Sequence, residues 1–154
     1  MIRNGNFALN HLDGNQGLYS LDFEKDPLTS IEKRSIDSLD ALAALKMSSG
    51  VTTSEDLSHN IQWMAADVDN NGLIQAKDAW LINNYVVGKT DANSQVGSWD
   101  FVDRLADFDN LGMRNTNLEN DHLNNIAFTD QNRTFNMTSF IHGDVDGSFA
   151  SNLS

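Results

Sequence analysis

Cysteine is absent from this 154-residue chain, proline occurs once, and basic side chains are scarce. The lack of cysteine excludes a disulfide framework, thiolate-bound zinc and thiol catalysis. Lys and Arg total 10 against 22 Asp and Glu, so the formal net charge is −12. This deficit argues against nucleic acid as a partner, because phosphates are bound by Lys and Arg. No apolar run is long enough to span a bilayer, and we therefore expect no membrane insertion.

What the chain does have is acidic and amide side chains at a spacing that suits calcium, between Asp67 and Asp78. Ca²⁺ takes 6–8 oxygen ligands at about 2.3–2.6 Å, and a short loop presents every second residue to it. Gly72 stands at the sharp turn, where a positive φ is needed. The expected ligands are the side chains of Asp67, Asp69, Asn71 and Asp78, the backbone carbonyl of Leu73, and Gln75 directly or through a water. The alternative is a solvated polar turn, since Asp, Asn and Gly are ordinary turn formers.

A helix is predicted directly after this loop, from Asp78 to Gly88, and the glycine stands where a left-handed C-terminal cap is expected. Its predicted apolar stripe consists of Ala79, Ile82, Tyr85 and Val86. A calcium loop that is closed by Asp and followed by an apolar helix ending in Gly resembles the dockerin repeat. Dockerins are calcium-binding modules that dock onto cohesins, so the resemblance implies a cohesin-like protein partner.

An incomplete second copy of this unit comes earlier in the chain. Ile36–Gly50 aligns with Ile74–Gly88 without a gap, and Asp40 stands at the place of Asp78. The first half of the earlier loop is missing. The residues where its ligands would stand are Thr29, Ile31 and Lys33. Because Ile and Lys cannot ligate calcium, this loop cannot bind the ion alone.

The missing half of a loop stands near the other end of the chain. Asp144, Asp146 and Ser148 reproduce the first ligand positions, but no turn glycine or closing acid follows them. We therefore predict a second calcium site that is split across the chain. Its expected ligands are Asp144, Asp146, Ser148, a backbone carbonyl near Ser35, Asp37 and Asp40. The alternative is that the fragments are a hairpin corner and a helix N-cap, in which case one ion binds instead of two.

The patterns along the chain predict an α+β fold. Its three parts are a β-hairpin over residues 1–25, a dockerin-like helical core over residues 26–88, and a β-rich extension over residues 89–154 that closes on the first repeat. The hairpin has alternating runs at Phe7–Leu9 and Leu18–Phe23, and it resembles the end of a preceding β-sandwich module.

The core is expected to be a pair of calcium loop-helix units joined by a linking helix, which Ser54 caps. The apolar stripe of this linking helix is Leu57, Ile61, Met64 and Ala65. The extension is expected to be a small antiparallel β structure. Its predicted strands are Ser98–Asp103, Ile126–Phe128 and Thr134–Ile141.

The strand that begins at Trp99 and the Gly-Asp-Val-Asp-Gly-Ser motif at Gly143 resemble the extension of dockerin-like modules in large bacterial adhesins and exoproteins. This resemblance implies a secreted or cell-surface location and a larger parent polypeptide. Two functions follow: docking onto a cohesin-like partner, or a calcium-rigidified structural spacer of an adhesin without a partner of its own. The residues at the loop positions with which dockerins recognise partners are Ala76 and Lys77, and Ser38 and Leu39 in the first repeat. They do not match the Ser-Thr pair of the best-known dockerins.

Patterns typical of catalysis are scarce. There is no Gly-x-Ser-x-Gly nucleophile elbow, and the histidines lack the spacing of a zinc site. The many carboxylates leave a glycosidase pair as an alternative. Calcium ligation already accounts for the clustered carboxylates, and we therefore expect no enzymatic activity.

Overall fold

A computed structural model describes residues 18–21, 23–52, 60–103, 110–117, 126–127 and 135–151. Its helices are α1 (Ser38–Ser48), α2 (Ile61–Ala66), α3 (Ala76–Val86) and the single turn α4 (Ser148–Ser151), and a 3₁₀ helix spans Glu32–Ser35. Its strands are β1 (Leu18–Tyr19), β2 (Trp99–Asp103), β3 (Ile126–Ala127) and β4 (Met137–Ile141). The fold belongs to the predicted α+β class. None of the helices in the described ranges is long and apolar enough to cross a membrane.

Helices α1 and α3 pack against each other and have the same length of 11 residues. In each helix, an acid in the first turn accepts the N–H of the residue before the helix, which is the geometry of a capping box. Each is followed by a glycine with positive φ, Gly50 at 72° and Gly88 at 78°. The predicted termination at a glycine is therefore confirmed, whereas α3 begins at Ala76, two residues before the predicted start at Asp78.

The buried face of α3 contains the predicted Ala79, Ile82 and Tyr85, but it includes Leu81 in place of Val86. Leu81 is 2 % exposed, whereas Val86 is 39 % exposed. The reason is that Asp78 points inward and is fully buried, so the face that meets the core runs through Asp78, Leu81, Ile82 and Tyr85. On α1 the corresponding face contains Asp40, Ala43, Ala44 and Met47. An apolar pattern alone does not reveal this rotation, because the residue that sets it is charged.

The extension forms an antiparallel pair of strands, β2 with β4, in which Trp99 lies opposite Ile141. The two long strands predicted here are confirmed, although they begin at Trp99 and Met137 and are shorter than expected. The third predicted strand, β3, is present as two residues, but it does not join this pair. It pairs instead with β1, through Leu18 opposite Ala127 and Tyr19 opposite Ile126. Two small sheets therefore replace the single extension expected from the alternating patterns.

The predicted N-terminal hairpin is also changed by this pairing. Its second run forms a strand only over Leu18–Tyr19, and the partner of that strand within the described ranges is β3; the first run, Phe7–Leu9, lies outside them. Lys25, at the predicted boundary of this part, places its ammonium 3.4 Å from the centroid of the Trp99 ring. The boundary at residue 25 is thus crossed by contacts with the extension.

Helix α2 packs against the β2–β4 pair and leads into the loop before α3. Its residues Ile61, Met64 and Ala65 pack with Val102 and Phe140 of the β2–β4 pair. The predicted cap Ser54 and the first residue of the predicted stripe lie outside the described residues. At its end, the carbonyl of Ala65 accepts the N–H of Gly143 at 2.8 Å. This contact carries the chain that leaves β4 towards the start of α1.

Candidate metal centre

Three carboxylates converge inside the continuous loop between α2 and α3. Asp67, Asp69 and Asp78 each offer an oxygen, and these oxygens lie within 4.8 Å of one another. Asp67 is 2 % exposed and Asp78 is completely buried. Three negative charges at this separation repel one another in a region largely shielded from water. The arrangement therefore favours any cation that can satisfy all three.

Asp78 is held by backbone groups on both of its oxygens. Its Oδ1 accepts the N–H of Val68 at 3.1 Å, and its Oδ2 accepts the N–H of Gln75 at 2.8 Å. Burial raises the pKa of the Asp78 carboxyl to about 6, although the hydrogen bonds from the backbone oppose this shift. The nearby charge of Asp69 raises the pKa further. The residue is therefore fixed in orientation but electrostatically uncompensated.

Asp67 is oriented by the turn of the loop. It accepts the N–H of Asn71 at 3.2 Å and the N–H of Gly72 at 2.8 Å. Gly72 has φ of 86°, as the predicted sharp turn requires. A third donor is the hydroxyl of Thr116, which bonds to Asp67 Oδ2.

Thr116 belongs to a segment of the extension that runs along the loop. The N–H of Thr116 donates to the carbonyl of Gly72 at 3.2 Å, and the N–H of Ile74 donates to the carbonyl of Met113 at 2.8 Å. Sequence reasoning missed this contact, because the threonine is 49 positions from Asp67 and stands in no recognisable motif. The extension thus takes part in building the loop.

Asp69 accepts fewer hydrogen bonds than the other two carboxylates of this group. Its side chain is 5 % exposed, and its Oδ1 is buried without a hydrogen-bond partner among the residues that the structure describes. Its Oδ2 lies 2.7 Å from the ammonium of Lys77. A buried carboxylate oxygen without a donor is rare in folded proteins, because its hydrogen bonds to water are lost and no protein hydrogen bond replaces them. A cation in the loop removes that deficit.

A second group of carboxylates lies between distant parts of the chain. Asp40 at the start of α1 lies with Asp144 and Asp146 so that one oxygen from each is within 4.8 Å of the others. Asp40 Oδ1 accepts the N–H of Val145 at 2.7 Å and that of Asp146 at 3.0 Å. Its Oδ2 accepts the N–H of Asp37 at 2.8 Å. Burial raises the pKa of the Asp40 carboxyl to about 7.

The two halves of this second loop meet at Ser148. Its hydroxyl donates to the carbonyl of Ser35 at 3.1 Å. Asp144 accepts the N–H of Ser148 at 3.0 Å and that of Phe149 at 3.1 Å. Burial raises the pKa of the Asp144 carboxyl to about 6. The structure therefore brings together the two fragments that the sequence places at opposite ends.

The two loops have the same internal hydrogen bonds. In each, the closing Asp accepts two consecutive N–H groups from the start of the loop, and the first Asp accepts two from its turn. The matched residues, continuous loop first, are Asp67 with Asp144, Val68 with Val145, Asp69 with Asp146, Asn71 with Ser148, Ile74 with Ile36, and Asp78 with Asp40. Asn70 and Gly147 occupy the same position with φ of 52° and 70°. The second loop thus reproduces the first in two separate segments of the chain, one that ends at Phe149 and one that leads to Asp40.

Four exposed predicted ligands lie outside the two carboxylate groups, in addition to the half-buried Ser148 described above. Asp37 is exposed, and its side chain accepts the N–H of Leu39 at 2.6 Å as the cap of α1. Gln75 is exposed at the matching position of α3. The side-chain oxygen of Asn71 accepts the N–H of Leu73 at 2.9 Å, and both residues are exposed. These residues border the groups without belonging to their buried part.

Both groups offer oxygen donors and have the geometry to hold a metal ion. Carboxylate oxygens suit hard divalent cations, and neither group contains a histidine. No protein-family model, curated protein or solved structure matches this chain.

Proposed function

We propose that this chain is a calcium-binding module in which each of the two loops holds one Ca²⁺. The observation that carries the proposal is the buried and unpartnered Oδ1 of Asp69 within a group of three carboxylates. The repetition of the same hydrogen bonds in the split loop supports a common purpose for both. Calcium is the best match, because a loop with oxygens at alternate positions and a closing acid meets its demand for many ligands.

The ligands follow from the matched positions of the loops. In the continuous loop they are the side chains of Asp67, Asp69, Asn71 and Asp78, the carbonyl of Leu73, and Gln75 through a water. In the split loop they are Asp144, Asp146, Ser148 and Asp40, the carbonyl of Ser35, and Asp37 through a water. The exposed positions of Gln75 and Asp37 favour the water-mediated role for both.

We further propose that the module is dockerin-like and docks onto a cohesin-like protein partner. The supporting observation is a row of large apolar side chains on the outer face of α1. Leu39, Leu42 and Leu45 are 61 %, 46 % and 46 % exposed, and their spacing places them side by side. On α3, Trp80 is 55 % exposed. Contiguous exposed apolar side chains on an otherwise acidic protein are typical of an interaction surface.

A second candidate function is a calcium-rigidified spacer within a large adhesin. The hydrogen bonds that join residues near opposite ends of the described chain in the split loop support a spacer as well as they support a docking module. The row of exposed leucines favours docking, because a spacer gains nothing from exposing them. Either function places the module in a larger secreted or cell-surface protein, where calcium is abundant.

Binding to immobilised cohesin domains, measured with calcium and with a chelator, tests the docking proposal. Leu42→Glu should abolish capture by placing a charge in the centre of the leucine row. Val87→Glu is the matched control, because it changes an exposed apolar side chain at the end of α3 that belongs to neither calcium loop. Calcium-independent capture, or equal capture of both variants, would refute docking through α1. Calcium binding without capture by any cohesin would leave the spacer as the function.

A further inference from the structure

The two matched loops differ at the residue before the closing acid. In the continuous loop this residue is Lys77, whose ammonium lies 2.7 Å from Asp69 Oδ2. In the split loop it is Leu39, which is 61 % exposed and has no charge to offer. The closing acids themselves, Asp78 and Asp40, accept the same set of backbone hydrogen bonds. One loop therefore carries a built-in positive charge that its copy lacks.

The geometry of this ion pair shows where the charge acts. The side chain of Lys77 is 55 % exposed, whereas that of Asp69 is 5 % exposed. The lysine therefore reaches from the surface to a carboxylate that faces the other two acids of the group. It engages only one oxygen of Asp69, and the other oxygen stays buried without a partner. The ammonium thus neutralises the group in part, and it does so at an oxygen that a bound metal ion would also attract.

We propose that Lys77 is a tethered cation that competes with the metal ion for Asp69 and thereby lowers the calcium affinity of the continuous loop. This inference rests on the proposed calcium function. When an ion enters, it repels the ammonium and offers a stronger charge to the same carboxylate. The ion pair must then separate, and the free energy of that pair is subtracted from metal binding. Because the Lys77 side chain is 55 % exposed, solvent screens this pair, and the corresponding loss of affinity is about two- to fivefold.

The exposed side of α3 offers the displaced ammonium an aromatic neighbour. Lys77 lies on the exposed side of α3, and Trp80 follows it by three residues on the same side. Calcium entry therefore moves a positive charge out of the loop and onto the surface beside an exposed aromatic ring. In the metal-free protein the same charge is held by Asp69. Occupancy of the loop is in this way coupled to the charge of the outer face of α3.

Calcium titration of the full chain, followed by amide NMR, tests the inference site by site. The amide of Gly72 reports on the continuous loop and the amide of Gly147 on the split loop. Lys77→Met should tighten the response at Gly72 by about two- to fivefold and leave that at Gly147 unchanged. Lys46→Met is the matched control, because it removes the same charge from the exposed side of α1. It should change neither site by more than the general effect of net charge.

The reciprocal variant and a chemical probe complete the test. Leu39→Lys places the tethered cation in the split loop, and it should weaken the response at Gly147 alone. Amine acylation followed by mass spectrometry should show that calcium speeds the modification of Lys77 relative to that of Lys46. An equal affinity in Lys77→Met and Lys46→Met, or an unchanged rate at Lys77, would overturn the inference while leaving the metal sites intact. If neither amide responds to calcium in any variant, the proposed function itself is wrong.

Discussion

Asp40 and Val145 are 105 positions apart in the chain, yet the carboxylate of Asp40 accepts the N–H of Val145 at 2.7 Å. The same contact occurs in the continuous loop between Asp78 and Val68, which are 10 positions apart. One hydrogen-bonding unit is therefore built once from neighbouring residues and once from residues near opposite ends of the described chain. Because of this duplication, each loop serves as an experimental control for the other.

Removal of calcium should lower the melting temperature. An ion that binds only the native state stabilises it by about 2.7 kcal/mol at a hundredfold excess over Kd. For a chain of this size, that corresponds to roughly 5–10 °C. Calorimetric melting curves in calcium and in chelator should therefore separate clearly. Magnesium should restore little of the loss, because it requires a smaller and nearly octahedral site. Coincident curves in calcium and chelator would contradict calcium binding.

Two calcium ions should bind, and each should be removable alone. Asp78→Asn should abolish the ion of the continuous loop, because the amide loses one of the two oxygens that close the site. Asp40→Asn and Asp144→Asn should each abolish the ion of the split loop, although they lie on opposite fragments. Isothermal titration should therefore count two ions in the native chain and one in each variant.

The control for this count is Asp26→Asn, which changes an exposed acid outside both carboxylate groups and should keep two ions. A single ion in the native chain that is lost in Asp78→Asn alone would show that the split loop binds none. Different counts for Asp40→Asn and Asp144→Asn would show that the two fragments do not act as one site.

Thr116 should support the continuous loop and not the split one. Its hydroxyl donates to Asp67, and the loss of a hydrogen bond to a metal-ligating side chain typically lowers metal affinity by roughly tenfold or more. Thr116→Val keeps the shape of the side chain but removes the donor, so it should weaken calcium binding at the continuous loop. Thr116→Ser keeps the hydroxyl and should restore most of the affinity. Equal binding by the Val and Ser variants would show that the hydroxyl has no part in the site.

The stability of the metal-free protein should fall as pH rises from about 4 to 7. Burial raises the pKa of Asp40 to about 7 and those of Asp78 and Asp144 to about 6. In the unfolded chain these carboxyls lose their protons near pH 4. Between these values the folded state binds more protons than the unfolded state, so each rise in pH favours unfolding. Denaturant unfolding in chelator across this range measures the slope.

Calcium should reverse this trend, because the ion binds the deprotonated carboxylates and its affinity increases as they lose their protons. Asp40→Asn should flatten the slope in chelator, since the group with the largest shift no longer titrates. A metal-free protein that becomes more stable between pH 4 and 7 would show that these carboxyls are not held in buried, uncompensated positions.

The helices and the continuous loop were readable from sequence because their determinants lie close together in the chain. The closing acid, the helix behind it and the terminal glycine stand within one short segment, and each acts on its immediate neighbours. The same reasoning missed only part of the buried face of α3, where Asp78 points inward and Leu81 meets the core in place of Val86. It also failed for β3, whose partner β1 is more than a hundred residues away. Strand pairing depends on which edges meet in the folded molecule, and alternation along one strand does not specify that.

The sequence by itself determined the ligand spacing from Asp67 to Asp78, the glycines at which α1 and α3 end, and the existence of two complementary loop fragments. These features depend on local backbone geometry and capping, which neighbouring residues control. The complementary ligand positions predicted that the fragments meet, and the tertiary structure brings them together; it alone decided that Thr116 reaches Asp67 and that Lys77 pairs with Asp69. The meeting of the fragments depends on the packing of α2 against β4, where Gly143 bonds to Ala65 and directs Asp144 towards Asp40. Contacts of this kind close long segments of chain, so their free energy is set by the whole fold and not by the residues beside them.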